Sequence, residues 1–550
     1  MEALSHREDE PRQIVSRIAS AGGSFAAAML SFFVAPLAMV AFTTRSGTGH
    51  LPGDGGTPNT TAAASSSLAA WEDVVQLGLI QCSISISTGH VYAVLHRFFA
   101  PLLSSAEDDA HRVRLLTWIG APYFIGVTLC STTVLMVALA AQTGDVAVIW
   151  AIPLAVIVGF WELLVTLLVH HDRWKEMTIA STLTALISTL LFFAMKNTTT
   201  TVLTRVFVSW FVAILGGSVL LVALVTWTGS LSPYASLAKA QLLRLWPRRT
   251  MSAGNAIALA PPPPPRPRGF WAAFASSIVT GVLLCGDLPL IMGLELMCAS
   301  RGATPGGAWS ASCFATNAPY LVSTIVGNQL RGSIHCFAVA LSAATCIRTS
   351  RFAFLDKPRQ ARWSAILSLA IWCVVCAVAF AFIVPMRHLL VGLLLNTNHG
   401  AVYESASGSV PAAMGFACVH GFLMLAVSVS HALGSKIGVF VSLVWLSSSV
   451  ALTIALHRGF ASSSGVPEGG GGEDDDYLRN DVRALFIGPL IASALSAVGC
   501  WSYVFTRCEW TAIVVNAGGV NDGDASTVCR LDAAVEMNLL RRGVSVQSYT

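Results

Sequence analysis

The apolar residues of this chain gather into runs of about 20 residues or more, the length a helix needs to cross a bilayer, divided by charged or Gly/Pro-rich breaks. Read between those breaks, a first set of spans falls at 23–42, 74–96, 117–140, 146–169, 178–195 and 203–228. A second set falls at 270–300, 316–345, 363–386, 409–430, 436–456 and 484–506. The span at 270–300 exceeds one perpendicular crossing and predicts a tilted helix. A helix satisfies its own backbone hydrogen bonds, as lipid demands. The pattern therefore predicts an all-α polytopic membrane protein with about 12 transmembrane helices in two six-helix bundles.

Composition agrees. Of the 550 residues, 54% are hydrophobic and 11% charged, against about 25% charged in soluble domains, and mean hydropathy is +0.66. The net charge of +4 gives no reason to expect nucleic acid. Its distribution is more informative. With the N-terminus inside, 24 of the 33 Lys and Arg residues fall on the inner side, in 1–22, 97–116, 170–177, 229–269, 346–362, at Lys436 and after 506. Seven fall outside, and Arg331 and Arg387 lie in or near spans. This bias predicts cytosolic termini by the positive-inside rule. The sequons at Asn59 and Asn197 both fall on the outer side, where glycosylation occurs.

These breaks predict a cytosolic segment 1–22, a first bundle 23–228, a cytosolic linker 229–269, a second bundle 270–506 and a cytosolic tail 507–550. The linker contains Pro261 to Pro265 followed by Arg-Pro-Arg-Gly, a polyproline II or disordered spacer; an SH3-like partner is the alternative reading. The acidic, glycine-rich 468–476 reads as a solvated outer loop. The loop from Arg97 (RFFAPLLSSAEDDAHRVR) and that from Arg351 (RFAFLDKPRQAR) open and close alike. Such correspondence between halves is how many secondary transporters are built.

No phosphate-cradling Gly-x-x-x-x-Gly-Lys-[Ser/Thr] occurs, and no segment is large enough for a soluble nucleotide-binding domain. Hydrolytic triads and metal-ligand spacings are also missing, so neither enzyme activity, a cofactor nor a metal is expected. Work must therefore come from an ion gradient, or not be done at all. Cys373 and Cys376 form a C-x-x-C, but mid-span they read as small apolar residues.

Ionisable or strongly polar groups inside spans are costly to insert and usually functional. The candidates for substrate or proton binding are Glu162, Asp287, Glu295, Gln329 and His420, with Arg331 as one half of an ion pair. Asp287 and Glu295 are eight residues apart, about 80° around one helix, so both can line one cavity. Arg331 with Asp287 makes either a structural salt bridge or part of that cavity. Glu295 has no partner evident in the sequence; a buried carboxylate of that kind can exchange a proton near neutrality.

From Leu288 the chain reads LPLIMGLELMCAS, and the loop after the eighth span reads SAATCIRTSRFAFLDKPRQAR. The tenth span ends in LGSKIGVF, and RCEWTAIVVNA follows the twelfth. Over about 270–517 these segments resemble the MATE (multidrug and toxic compound extrusion) transporters of eukaryotes. Glu295 stands at the family's first glutamate of span seven; Arg348 and Gln360-Ala361-Arg362 stand at its loop motif. The chain departs from the family at Ser350, Phe354 and Asp356, which replace loop glycines. Further departures are Ser300 and Gln329, which replace glutamates, and Val419 or His420, which replaces the acid of span ten.

The resemblance implies two bundles in a V around a central cavity, and an antiporter that exports amphiphilic, often cationic, organic compounds. The coupling ion would be a proton or sodium. The protein would sit in the plasma membrane or an endomembrane such as the vacuolar one. Three alternatives stay open at this point: a flippase of the same superfamily, a major-facilitator carrier, and a transport-inactive membrane receptor or scaffold.

Overall fold

The computed structural model describes residues 151–170, 174–195, 202–227, 311–354, 357–395, 401–463, 474–508 and 510, with isolated positions at 16, 18, 20, 23 and 133. The described residues lie almost entirely in α-helices. In chain order these are α1 (Ala151–His170), α2 (Trp174–Ala194) and α3 (Val202–Trp227) from the first half. From the second come α4 (Ala311–Phe354), α5 (Pro358–Ile383), α6 (Arg387–Leu395), α7 (Ala401–Ala432), α8 (Ile437–Ser463) and α9 (Asp474–Arg507). Seven of them, α2 to α5 and α7 to α9, are long and apolar enough to cross a membrane. The predicted spans at 146–169, 178–195, 203–228, 316–345, 363–386, 409–430, 436–456 and 484–506 each meet one of these helices. Those at 23–42, 74–96, 117–140 and 270–300 lie outside the described residues, apart from positions 23 and 133.

The helix ends depart from the sequence expectation. α4 runs on through Phe354, so Arg348 and Arg351 stand on its last turns rather than in a loop over 346–362. α7 begins at Ala401 rather than 409, and α9 at Asp474, inside the acidic stretch read as loop. α6 has no counterpart among the predicted spans. The reason is physical. Hydropathy marks where a helix meets hydrocarbon, whereas helical hydrogen bonding continues into water, and aspartates are favoured at a helix N-terminus.

Local chemistry sets the turns. Lys357 N–H donates to the Phe352 carbonyl at 2.9 Å, and Pro358 opens α5 where a missing N–H costs nothing. Between α7 and α8, Gly434 takes φ +70°, which side chains rarely adopt. Its N–H donates to the His431 carbonyl and that of Ser435 to the Ser430 carbonyl, both at 2.9 Å. This is a Schellman end to α7. Ser435 Oγ then accepts the N–H of Ile437 at the start of α8.

Among the described helices, α1, α2 and α3 pack together. In the second half α7 is central, packing against α4, α9, α5, α8 and α6, while α8 packs against α9. Accordingly α4 and α7 are mostly buried, whereas α5 and α8 expose most of their apolar surface. Val374, Val378, Phe382, Phe440 and Leu443 point outward, a pattern that suits a lipid surround.

Close approach depends on glycine at the helix crossings. Gly488 of α9 lies against Thr453 of α8, where a Cβ would stand 2.7 Å from the backbone nitrogen and 2.9 Å from Cα. Gly421 of α7 lies under the Trp372 indole, whose N–H donates to the Cys418 carbonyl at 2.9 Å. In the first half, Gly217 of α3 meets Thr184 of α2 and Trp161 of α1.

Candidate functional site

The second half holds a buried polar and aromatic cluster in a predominantly apolar core. It is built by α7 and by α4, α8 and α9, three of the helices that pack against it. From α4 comes Arg331, 1% exposed. Its Nε–H donates to Asn328 Oδ1 at 3.2 Å, three residues back on the same helix face. The guanidinium carbon stands 5.1 Å from the Phe416 ring centroid, a cation–π contact with α7. A desolvated contact of this kind contributes on the order of 2 kcal/mol, which offsets part of the cost of burying the charge.

Phe416 and His420 are one turn apart on α7, with ring centroids at 5.3 Å. His420 is fully buried. Trp445 of α8 packs against it at 4.8 Å, and His335 of α4 lies nearly parallel to it at 6.1 Å, with 19° between the planes. His420 Nδ1 is 3.2 Å from Ser493 Oγ of α9. The same oxygen accepts the Trp445 indole N–H at 2.8 Å. Four helices thus meet at one imidazole, and a single serine oxygen links two of its neighbours.

Of the residues singled out by sequence, the structure brings Arg331 and His420 into one cluster, with Phe416 between them. Gln329 is buried on α4, but two residues from Arg331 it lies about 200° around the helix. Glu162 falls on α1 of the first half, and its side chain lies outside the described residues. Asp287, Glu295, Asn59, Asn197 and Pro261 to Pro265 also lie outside them. The pairing of Arg331 with Asp287 therefore falls outside the described residues, whereas contacts of Arg331 with Asn328 and Phe416 fall within them.

Sequence reading missed His335, Trp445 and Ser493. His335 was accessible to the criterion that found Arg331, since it is an ionisable residue one turn further along the same span. Nothing in the local pattern distinguishes Ser493 from the other serines of α9, because its role comes from helix packing.

No protein-family profile matches the chain, and no curated protein sequence does. Solved structures do match. The eukaryotic MATE transporter AtDTX14 superposes with a TM-score of 0.63 at 14% identity, covering 91% of this chain and 97% of that one. The Vibrio cholerae MATE transporter VcmN in its bent form gives 0.53 at 14% identity, covering 90% and 97%. A MOP superfamily transporter from Pyrococcus furiosus gives 0.54 at 14% identity, covering 90% and 96%. The chain therefore has the all-helical membrane fold of the MATE transporters.

Proposed function

We propose that this protein is a MATE-type secondary transporter that exports amphiphilic organic cations across a membrane in exchange for protons. The observation that carries the reading is the fold likeness over about nine-tenths of the chain. It favours the MATE reading over the major-facilitator one. The sequence contains no nucleotide-binding motif, which leaves an ion gradient as the energy source. Both termini and the linker 229–269 face the cytosol in this reading, following the distribution of Lys and Arg.

In this mechanism Glu295 is the charge partner of the cation and an exchange site for the proton. A carboxylate inside a span is neutral when protonated and anionic when a cationic substrate replaces the proton. Alternating access of the two halves then couples the flows, because neither the bare carboxylate nor the doubly loaded site crosses readily. Glu295→Gln retains shape and hydrogen-bonding capacity while fixing the neutral state.

The experiment is uptake of ethidium into vesicles under an imposed pH gradient, normalised to protein in the membrane. Ethidium carries a fixed charge and cannot follow the gradient by its own protonation. Glu295→Gln should reach the membrane at normal abundance. Its gradient-driven flux should fall by about tenfold or more, the scale of roughly 1.4 kcal/mol in a barrier. Full flux in that variant moves the role to another carboxylate, Asp287 or Glu162. A flippase of the same superfamily would move a lipid-linked precursor in place of ethidium, and a receptor or scaffold would move neither.

A further inference from the structure

The mechanism above uses a carboxylate and leaves the buried imidazole cluster without a task. We propose that His335 and His420 form a proton-binding dyad that holds one proton between them during the transport cycle. The proposal rests on the transport reading and adds a second proton site to it.

The hydrogen bonding around His420 suits a ring that gains and loses a proton in place. The Trp445 indole N–H is a donor only, so it occupies one lone pair of Ser493 Oγ at 2.8 Å. The hydroxyl keeps one proton and one lone pair. When His420 is neutral with a bare Nδ1, Ser493 donates its proton across the 3.2 Å gap. When both ring nitrogens are protonated, Nδ1–H donates into the remaining lone pair. The serine proton then turns toward the carbonyl of its own preceding helical turn, a common acceptor for mid-helix serines. At Nδ1 both protonation states are satisfied with no heavy atom displaced.

His335 supplies the entry. Its ring is only partly buried, whereas His420 is fully buried. The near-parallel rings at 6.1 Å place two imidazoles side by side, the side chain whose unperturbed charge change lies nearest neutrality. Two imidazolium charges at that separation repel in a low-dielectric interior, so the pair takes one proton rather than two.

The surroundings are consistent with a single proton. Among the described residues, α4 also brings Arg331, separated from His420 by the Phe416 ring. Its fixed positive charge raises the cost of each proton taken up, so a doubly protonated pair carries that cost twice. On α5 the facing groups are Trp372 and the Cys376 thiol, which lie at the Cys418 carbonyl, and α7 itself adds the Cys418 thiol. The turns of α8 around Trp445 and of α9 around Ser493 carry no titratable side chain. At the far end of α7, His388 of α6 packs on Tyr403.

The test uses the full chain in detergent micelles, with nitrogen-labelled histidine followed by NMR between about pH 5 and 8, the range in which histidine titrates. His420→Gln identifies the His420 signal by its loss. His335→Gln, at the less buried ring, identifies the dyad by a second route, through loss of one signal and a displaced midpoint for another. The expected result is a His420 signal that moves from its neutral to its charged position, with one proton taken up by the pair. Its midpoint should shift in His335→Gln. A His420 signal that stays flat across the range overturns the dyad, as does an unchanged midpoint in His335→Gln.

The titration is read without transport. A titrating dyad in a protein that moves no ethidium would contradict the transport reading alone. Gradient-coupled flux with a flat His420 signal would contradict the dyad alone.

Discussion

Ser493 is a small residue that joins two helices to one ring. Its hydroxyl is the acceptor for the Trp445 indole and the neighbour of His420 Nδ1, so its removal leaves a buried N–H without that oxygen. Leaving a buried donor unsatisfied costs about 1–3 kcal/mol. Ser493→Ala should therefore lower the thermal unfolding midpoint in detergent, and an unchanged midpoint would show that the shared hydrogen bond contributes nothing. The participants at this site differ in how far sequence exposes them. Arg331 and His420 stand out because lipid penalises them wherever they point, and His335 belongs to the same class. Trp445 and Ser493 matter only through the crossing of α7, α8 and α9, which no single span records.

At the scale of the helix, hydropathy locates crossings well and helix ends poorly. The runs at 363–386 and 436–456 coincide closely with α5 and α8, because these helices expose apolar surface along most of their length. α4 extends beyond its run because Arg348 and Arg351 can leave hydrocarbon without leaving the helix. The short α6 carries too few apolar residues to register as a crossing. What holds the helices at their spacing is also local. Gly488 presents its bare Cα to the backbone of Thr453, and a backbone cannot move aside as a flexible side chain can. Overpacking of this kind costs roughly 1–3 kcal/mol. Gly499, on the same helix, has no atom within 4 Å of where a Cβ would stand. Gly488→Ala should reduce the unfolding midpoint and the amount of protein in the membrane, while Gly499→Ala should leave both unchanged or raise them slightly, since alanine favours helix by about 0.5–1 kcal/mol over glycine. Equal behaviour of the two variants would contradict close packing of α8 on α9.

For the whole molecule, the all-helical membrane fold was legible because lipid imposes one rule on every span, and the superposition on MATE structures agrees with that reading. The functional reading is less accessible, because it depends on a few polar groups placed by tertiary packing. The central claim is that a proton gradient drives organic cations through this fold. It is tested most directly with the purified wild-type protein in sealed vesicles, with the membrane potential clamped by potassium and valinomycin. Ethidium flux is recorded with an imposed pH gradient, and again after a protonophore has dissipated it. Flux against the ethidium gradient should depend on the protein and cease when the pH gradient is removed. Flux that is unaffected by the protonophore, or no flux beyond that of protein-free vesicles, would contradict it.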